Sequence, residues 1–305
     1  MPGGTHFGDL LTRAIDKAGT PACVGLDPVL ERLPGAVRAA QGRDVEQIRA
    51  FCLGVLDAVA GIVPAVKPQS ACFERFGSPG VGVLEEVIDR ARSLGFVVVL
   101  DVKRGDIGTT AAHYAASAAS MGAHAVTVNG YMGPSAVTPF IEAGLGVYVL
   151  VRTSNADAGY LQSGRLDSGK TVAERMAEMV AELGRGLVGA SGLSSVGAVV
   201  GVSRGAPGAP GPPGGRAGCD GWRGLMPEAP VLVPGVGAQG GTVGDVRPLV
   251  RPGHTGGGVG VLINASRSVL YADGRGGWQD RIRSAASVFA SDAADGLHIV
   301  GDERH

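Results

Sequence analysis

The sequence predicts an α/β fold, a (β/α)8 TIM barrel forming a single domain over 1–305, from three observations. Eight short apolar runs recur along the chain, stretches with helical spacing separate most of them, and 305 residues is a length such barrels occupy as one unit. The runs are Ala22 to Leu26, Ile62 to Val66, Phe96 to Leu100, Ala125 to Val128, Val147 to Val151, Val196 to Val200, Val231 to Val233 and Val259 to Ile263. They are rich in valine and too short for helices, which suits parallel strands covered on both faces. Val45 to Val59, Val83 to Leu94 and Val172 to Leu187 repeat apolar residues at helical spacing between them. A doubly wound open sheet is the competing fold for the same alternation.

One segment breaks the pattern. Gly205 to Gly215 reads GAPGAPGPPGG within an irregular stretch at about 204–221, too rich in glycine and proline for a barrel helix and too short for a collagen-like triple helix. It is expected as a loop, with the helix after the sixth strand short or missing. A net charge of −1 with 18% charged residues marks no nucleic-acid partner and no charged membrane surface. No run approaches the ~18 apolar residues of a membrane span, and Met1 to Leu11 has no basic start followed by an apolar run. Cys23, Cys52, Cys72 and Cys219 form no C-x-x-C pair and read as reduced thiols in a cytoplasmic protein.

Barrel active sites gather at the C-terminal strand ends, and the polar residues after the runs carry the chemistry. They are Asp27, Lys67, Asp101 with Lys103, Asn129, Arg152 to Asn155, Pro234 to Gln239 and Asn264 to Arg267. Asp101 and Lys103 lie two apart at a strand end, so both side chains point to the same side, inward in a barrel. Asp106 follows, and two carboxylates bracketing one ammonium would hold that lysine charged. Taken alone, D-x-K-x-x-D also reads as a solvated strand end with an ordinary salt bridge. Lys67 adds a second cation at the same face, so that Lys67, Asp101, Lys103 and Asp106 can form an alternating array. The glycine-rich loop Val233 to Gly241 and the segment Asn264 to Ser268 follow consecutive strands, where barrels bind phosphate with loop amides, a helix N-terminus and a cation such as Arg267.

The segment Val99-Leu100-Asp101-Val102-Lys103-Arg104-Gly105-Asp106-Ile107-Gly108-Thr109-Thr110 resembles the signature of orotidine 5'-phosphate decarboxylases of the longer bacterial type 2 group. Val24 to Pro28, Val66 to Gln69, Arg152 to Asn155, Pro234 to Gln239 and Ser266-Arg267 fit the same family in order. The resemblance implies conversion of orotidine 5'-phosphate to UMP and CO2 without a cofactor or metal. It implies that Lys103 protonates C6, that Asp101 lies beside the departing carboxylate, and that Lys67 bridges Asp101 and the ribose. Asp27 would bind ribose hydroxyls, Ser154 the pyrimidine amide edge, and Gln239, Ser266 and Arg267 the phosphate under a loop containing Pro234. Asp106, Ile107 and Thr110 would enter the neighbouring subunit's site, making a homodimer with shared active sites. After Asn155 the family usually continues with proline and glycine, whereas Ala156-Asp157-Ala158-Gly159 stands here, so a loop of different shape is expected.

The runner-up is a related Mg2+-dependent barrel enzyme, a keto-gulonate phosphate decarboxylase or hexulose phosphate synthase, which would offer a carboxylate where Lys67 stands. A catalytically dead barrel would lack a member of the charged array, and none is missing. The six histidines show no metal-ligand spacing, and Trp222 and Trp278 read as packing residues.

Overall fold

The computed structural model describes residues 6–39, 42–202, 221–236 and 240–302. Eight parallel strands close into a barrel in chain order: β1 (Ala22–Leu26), β2 (Ala65–Pro68), β3 (Val97–Arg104), β4 (Ala125–Val128), β5 (Gly146–Arg152), β6 (Val196–Val200), β7 (Val231–Val233) and β8 (Val261–Ala265). Closure is made by β1 against β8, with Cys23 opposite Asn264. An open sheet is excluded.

Strand alternation divides the core in two. Val24, Val66, Val98, Val126, Val147 and Ile263 face outward into the layer shared with the helices. Cys23, Ala65, Val97, Val99, Ala125, Tyr148, Val199, Leu232 and Leu262 face inward and fill the barrel. The helix Phe7–Ala18 joins this inner cluster through Phe7, Leu11 and Ile15, and the Phe7 ring meets Tyr148 edge-on at 5.7 Å. Continuing the inward series by steps of two leads to Gly25 and Asp27, Lys67 and Gln69, Asp101 and Lys103, Thr127, Pro234, and Asn264 and Ser266.

Four strands depart from their expected limits, β5 only by one residue at each end. β2 begins at Ala65 because Gly61, at φ 75°, and Pro64 keep the preceding residues in a turn. β8 begins at Val261 because Val259 ends a 3-10 turn and Gly260 reverses the chain at φ 71°. β3 runs to Arg104, with its register against β4 shifting between Leu100 and Arg104.

The helix Asp44–Val59 covers its expected stretch, and Ser78–Ser93 covers the other up to its last residue, Leu94, which is the C-cap. The helix Val172–Gly184 starts in a capping box between Thr171 and Glu174 and stops before Leu187, where Arg185 turns extended. The long helix Trp278–Asp302 packs beside Asp44–Val59, with Trp278 against Phe51 at 5.4 Å, and Trp222 is also buried.

Between β6 and β7 the described helix is the four-residue Trp222–Leu225. Its Arg223 is buried and donates to the carbonyls of Leu249, Met226, Pro227, Ala229 and Gly260. The Gly/Pro-rich stretch and Cys219 lie outside the described residues. Cys23, Cys52 and Cys72 are free thiols, the first two buried. No helix among the described residues is long and apolar enough to cross a membrane.

Candidate active site

A cavity of about 430 Å3 opens at the C-terminal end of the barrel. Asp27, Lys67, Asp101, Lys103, Ser154, Pro234, Ser266 and Arg267 all line it, so eight residues expected from separate segments converge. Gln69, Thr127, Thr153, Asn155 and Asn264 join them, over a floor that includes Leu150, Val199 and Leu232.

Asp101 is the hub. Its Oδ1 accepts from Lys103 Nζ at 2.6 Å and from the Thr127 hydroxyl at 2.7 Å. Its Oδ2 accepts from Lys67 Nζ at 2.7 Å and from Gln69 Nε2 at 3.1 Å. A carboxylate has about four lone-pair sites, so the acceptor capacity of Asp101 is filled. Burial alone would raise its carboxyl pKa, but the charges and hydrogen bonds of Lys67 and Lys103 outweigh that and hold it well below the usual carboxylate range. The group is a fixed anion.

Lys67 is almost wholly enclosed, and burial alone would lower its pKa. Asp101 and Asp27 reverse the direction and hold the ammonium charged. Asp27 Oδ1 stands 4.0 Å from Lys67 Nζ. The observed array is therefore Asp27, Lys67, Asp101, Lys103.

Asp106 is not part of it within one chain, contrary to the bracketing expected from spacing. Its Oδ1 accepts from the backbone N–H of Ile107 at 2.8 Å, because the chain leaves the barrel after Arg104 and carries Asp106 outward. Ile107 is 53% exposed, Thr110 is exposed on the helix Gly108–Ser120, and none of these three lines the cavity. Gln239 lies outside the described residues.

Lys103 has φ 43°, the one left-handed non-glycine residue among those described. Such a backbone costs of order 1–3 kcal/mol and persists where its surroundings fix it. Here its N–H donates to Thr127 Oγ1 at 3.0 Å while its ammonium is tied to Asp101. Its side chain remains 47% accessible, against 7% for Asp101. Of the two cations in the array, Lys103 is thus the one open to a ligand.

On the opposite wall, Gly25 makes room for Ser266, since a Cβ there would fall 2.1 Å from Ser266 Oγ. Asn264 Oδ1 and Asp27 Oδ1 are buried without hydrogen-bond partners, on two residues that line the cavity. Among the described residues, no group of three or more His, Cys, Asp or Glu side chains could hold a metal ion.

Thr127 and Gln69 were not singled out in the sequence. Both share the inward parity of a chosen residue, Gln69 two places after Lys67 and Thr127 as the only hydroxyl in an apolar run, and that parity is the signal that could have found them.

The profile of the orotidine 5'-phosphate decarboxylase / HUMPS family matches residues 20–276. An orotidine 5'-phosphate decarboxylase from Rhodopirellula baltica is 38% identical over 92% of this chain and 96% of its own length. One from Deinococcus radiodurans is 43% identical over 88% and 90%. A crystal structure from Streptomyces avermitilis, assigned to the same enzyme, superposes with a TM-score of 0.75 at 36% identity, covering 96% of each chain.

Proposed function

The chain belongs to the orotidine 5'-phosphate decarboxylase / HUMPS family, and from that premise and the geometry of the barrel mouth we propose direct, cofactor-free decarboxylation with Lys103 as proton donor. The enzyme is a carboxy-lyase that converts orotidine 5'-phosphate to UMP and CO2 in pyrimidine biosynthesis. The observation that carries the mechanism is the Asp101 carboxylate saturated between two ammonium groups, one buried and one facing the cavity.

Cleavage of the bond from C6 to its carboxylate leaves the electron pair on C6, in the ring plane, where the π system cannot delocalise it. A fixed ammonium stabilises that charge without reorganising, and preorganised groups of this kind are worth about 10²–10³ in rate apiece. The proton passes from Lys103 Nζ to C6, giving UMP, and solvent reprotonates the amine. Asp101 has no free acceptor site for a proton transfer, which suits it to holding the two lysines and facing the departing carboxylate.

Asp27 and Lys67 bind the ribose, Ser154 the pyrimidine amide edge, and Pro234, Gln239, Ser266 and Arg267 the phosphate side. The exposure of Ile107 and Thr110, with Asp106 beside them and turned away from its own cavity, supports their entry into a neighbouring subunit's site, in a cytoplasmic homodimer of single-domain barrels.

The test follows loss of orotidine 5'-phosphate absorbance in EDTA. Turnover is expected to persist; activity abolished by chelation and restored by Mg2+ would overturn the metal-free mechanism. Lys103→Ala should lose at least about 10³ in kcat and still bind UMP. Mixing Lys103→Ala with Asp106→Ala subunits should recover activity, since one site of each mixed dimer is intact. No recovery after confirmed subunit exchange would sink the sharing.

A further inference from the structure

The segment Thr153 to Asn155 reaches the cavity from the end of β5, and a one-directional chain of hydrogen bonds runs into it. It begins at a donor with no alternative role: the backbone N–H of Thr153 donates to Gln162 Oε1 at 3.0 Å, and Arg152 Nη1 lies 3.5 Å from the same oxygen. The sense of the Gln162 amide is thereby set, and its Nε2 donates to Thr153 Oγ1 at 2.7 Å. The Thr153 hydroxyl then has one proton to give, and it donates to Asn155 Oδ1 at 2.6 Å. With the Oδ1 end of the amide turned to Thr153, Nδ2 is the end of the Asn155 side chain that remains without a protein partner in the relay, on a residue that lines the cavity.

We propose that Asn155 is a substrate-binding residue that donates from Nδ2 to a ring carbonyl of the pyrimidine, and that Thr153 and Gln162 are positioning residues that set its polarity. The inference rests on the orotidine 5'-phosphate reading of the cavity. A uracil-type ring presents two carbonyl acceptors flanking one N–H. An Asn155 amide turned the other way would set carbonyl against carbonyl, so a ligand of this class requires the donor end that the relay supplies. The relay also gives the short helix Gly159–Gln162 a purpose: it braces the strand end through Gln162.

The experiment compares UMP with ribose 5-phosphate, which lacks the ring, by calorimetric titration of the wild type, Asn155→Ala, Thr153→Val, Thr153→Ser and the Thr153→Val/Asn155→Ala double variant. Asn155→Ala and Thr153→Val should each weaken UMP by about tenfold and leave ribose 5-phosphate unchanged. Thr153→Ser keeps the hydroxyl and should stay near wild type, and the double variant should bind no more weakly than Asn155→Ala, because the two act in series. Equal loss for both ligands would reveal a structural role and overturn the proposal, as would unchanged UMP affinity in Asn155→Ala, an exposed position where folding is not at stake. Wild-type enzyme that neither consumes orotidine 5'-phosphate nor prefers UMP to ribose 5-phosphate would instead overturn the reading of the site itself.

Discussion

Two cations are buried at opposite ends of the same barrel, and they are held in opposite ways. Lys67, at the C-terminal mouth, is charged against Asp101 and Asp27, and their attraction carries its pKa upward in spite of burial. Arg223, beside the starts of β7 and β8, donates to backbone carbonyls, and burial, with a smaller push from the charge of Arg251, lowers its pKa to about 10. Backbone carbonyls fix position and pass nothing on. Carboxylates that are themselves tied to a second, accessible ammonium transmit a field to a ligand. Burial of a charge therefore does not identify function; what the partner touches next does.

Substitutions can separate the two. Lys67→Met should have the largest effect, losing about 10²–10³ in kcat as Asp101 shifts, and about 3–5 kcal/mol of stability because a buried carboxylate loses a partner. Activity near wild type would break the contrast. Arg223→Met should cost about 2–4 kcal/mol by leaving several carbonyls unpaired, seen as a lower denaturation midpoint, with kcat per folded molecule unchanged. A fall in kcat there would make Arg223 more than architecture.

Acid sharpens the comparison. The folded pKa of Asp101 lies below its unfolded value, so its contribution to stability is present above about pH 4 and is lost as pH falls toward the folded value. Urea unfolding at pH 6 and pH 3 should show wild type losing more stability than Asp101→Asn, and equal losses would contradict the depressed pKa. The smallest effect is expected at Tyr148, whose hydroxyl is buried in the barrel without a partner. Tyr148→Phe should be neutral or stabilising by up to about 1 kcal/mol, and a clear destabilisation would show that the hydroxyl is satisfied.

Much of this was legible in the residue order, because valine-rich runs and a parity of two are local signals. The parity that packs Val97 and Val99 inside also delivers Asp101 and Lys103, and so the ion chain followed from spacing once the barrel was assumed. The edges were less legible: the turns at Gly61 and Gly260 shifted β2 and β8, since apolar character does not report where a ladder begins. Asp106 stands outside the array within one chain for a related reason, as spacing cannot say that the strand ends at Arg104. Thr127 and the relay through Gln162 join residues 26 and 9 positions from their partners, and no periodicity encodes such pairs.

Thr127 has a further consequence for anyone who would rebuild this mouth. Its hydroxyl gives a proton to the Asp101 side chain and takes one from the Lys103 backbone, so a neutral residue on β4 gauges the height of both charged groups on β3. Slide one strand against the other and the anion and cation move together, keeping their mutual distance while losing their aim. Alignment in this enzyme is a property of a neighbouring strand, and a graft of the β3 sequence alone into another barrel would carry the reagents without the ruler.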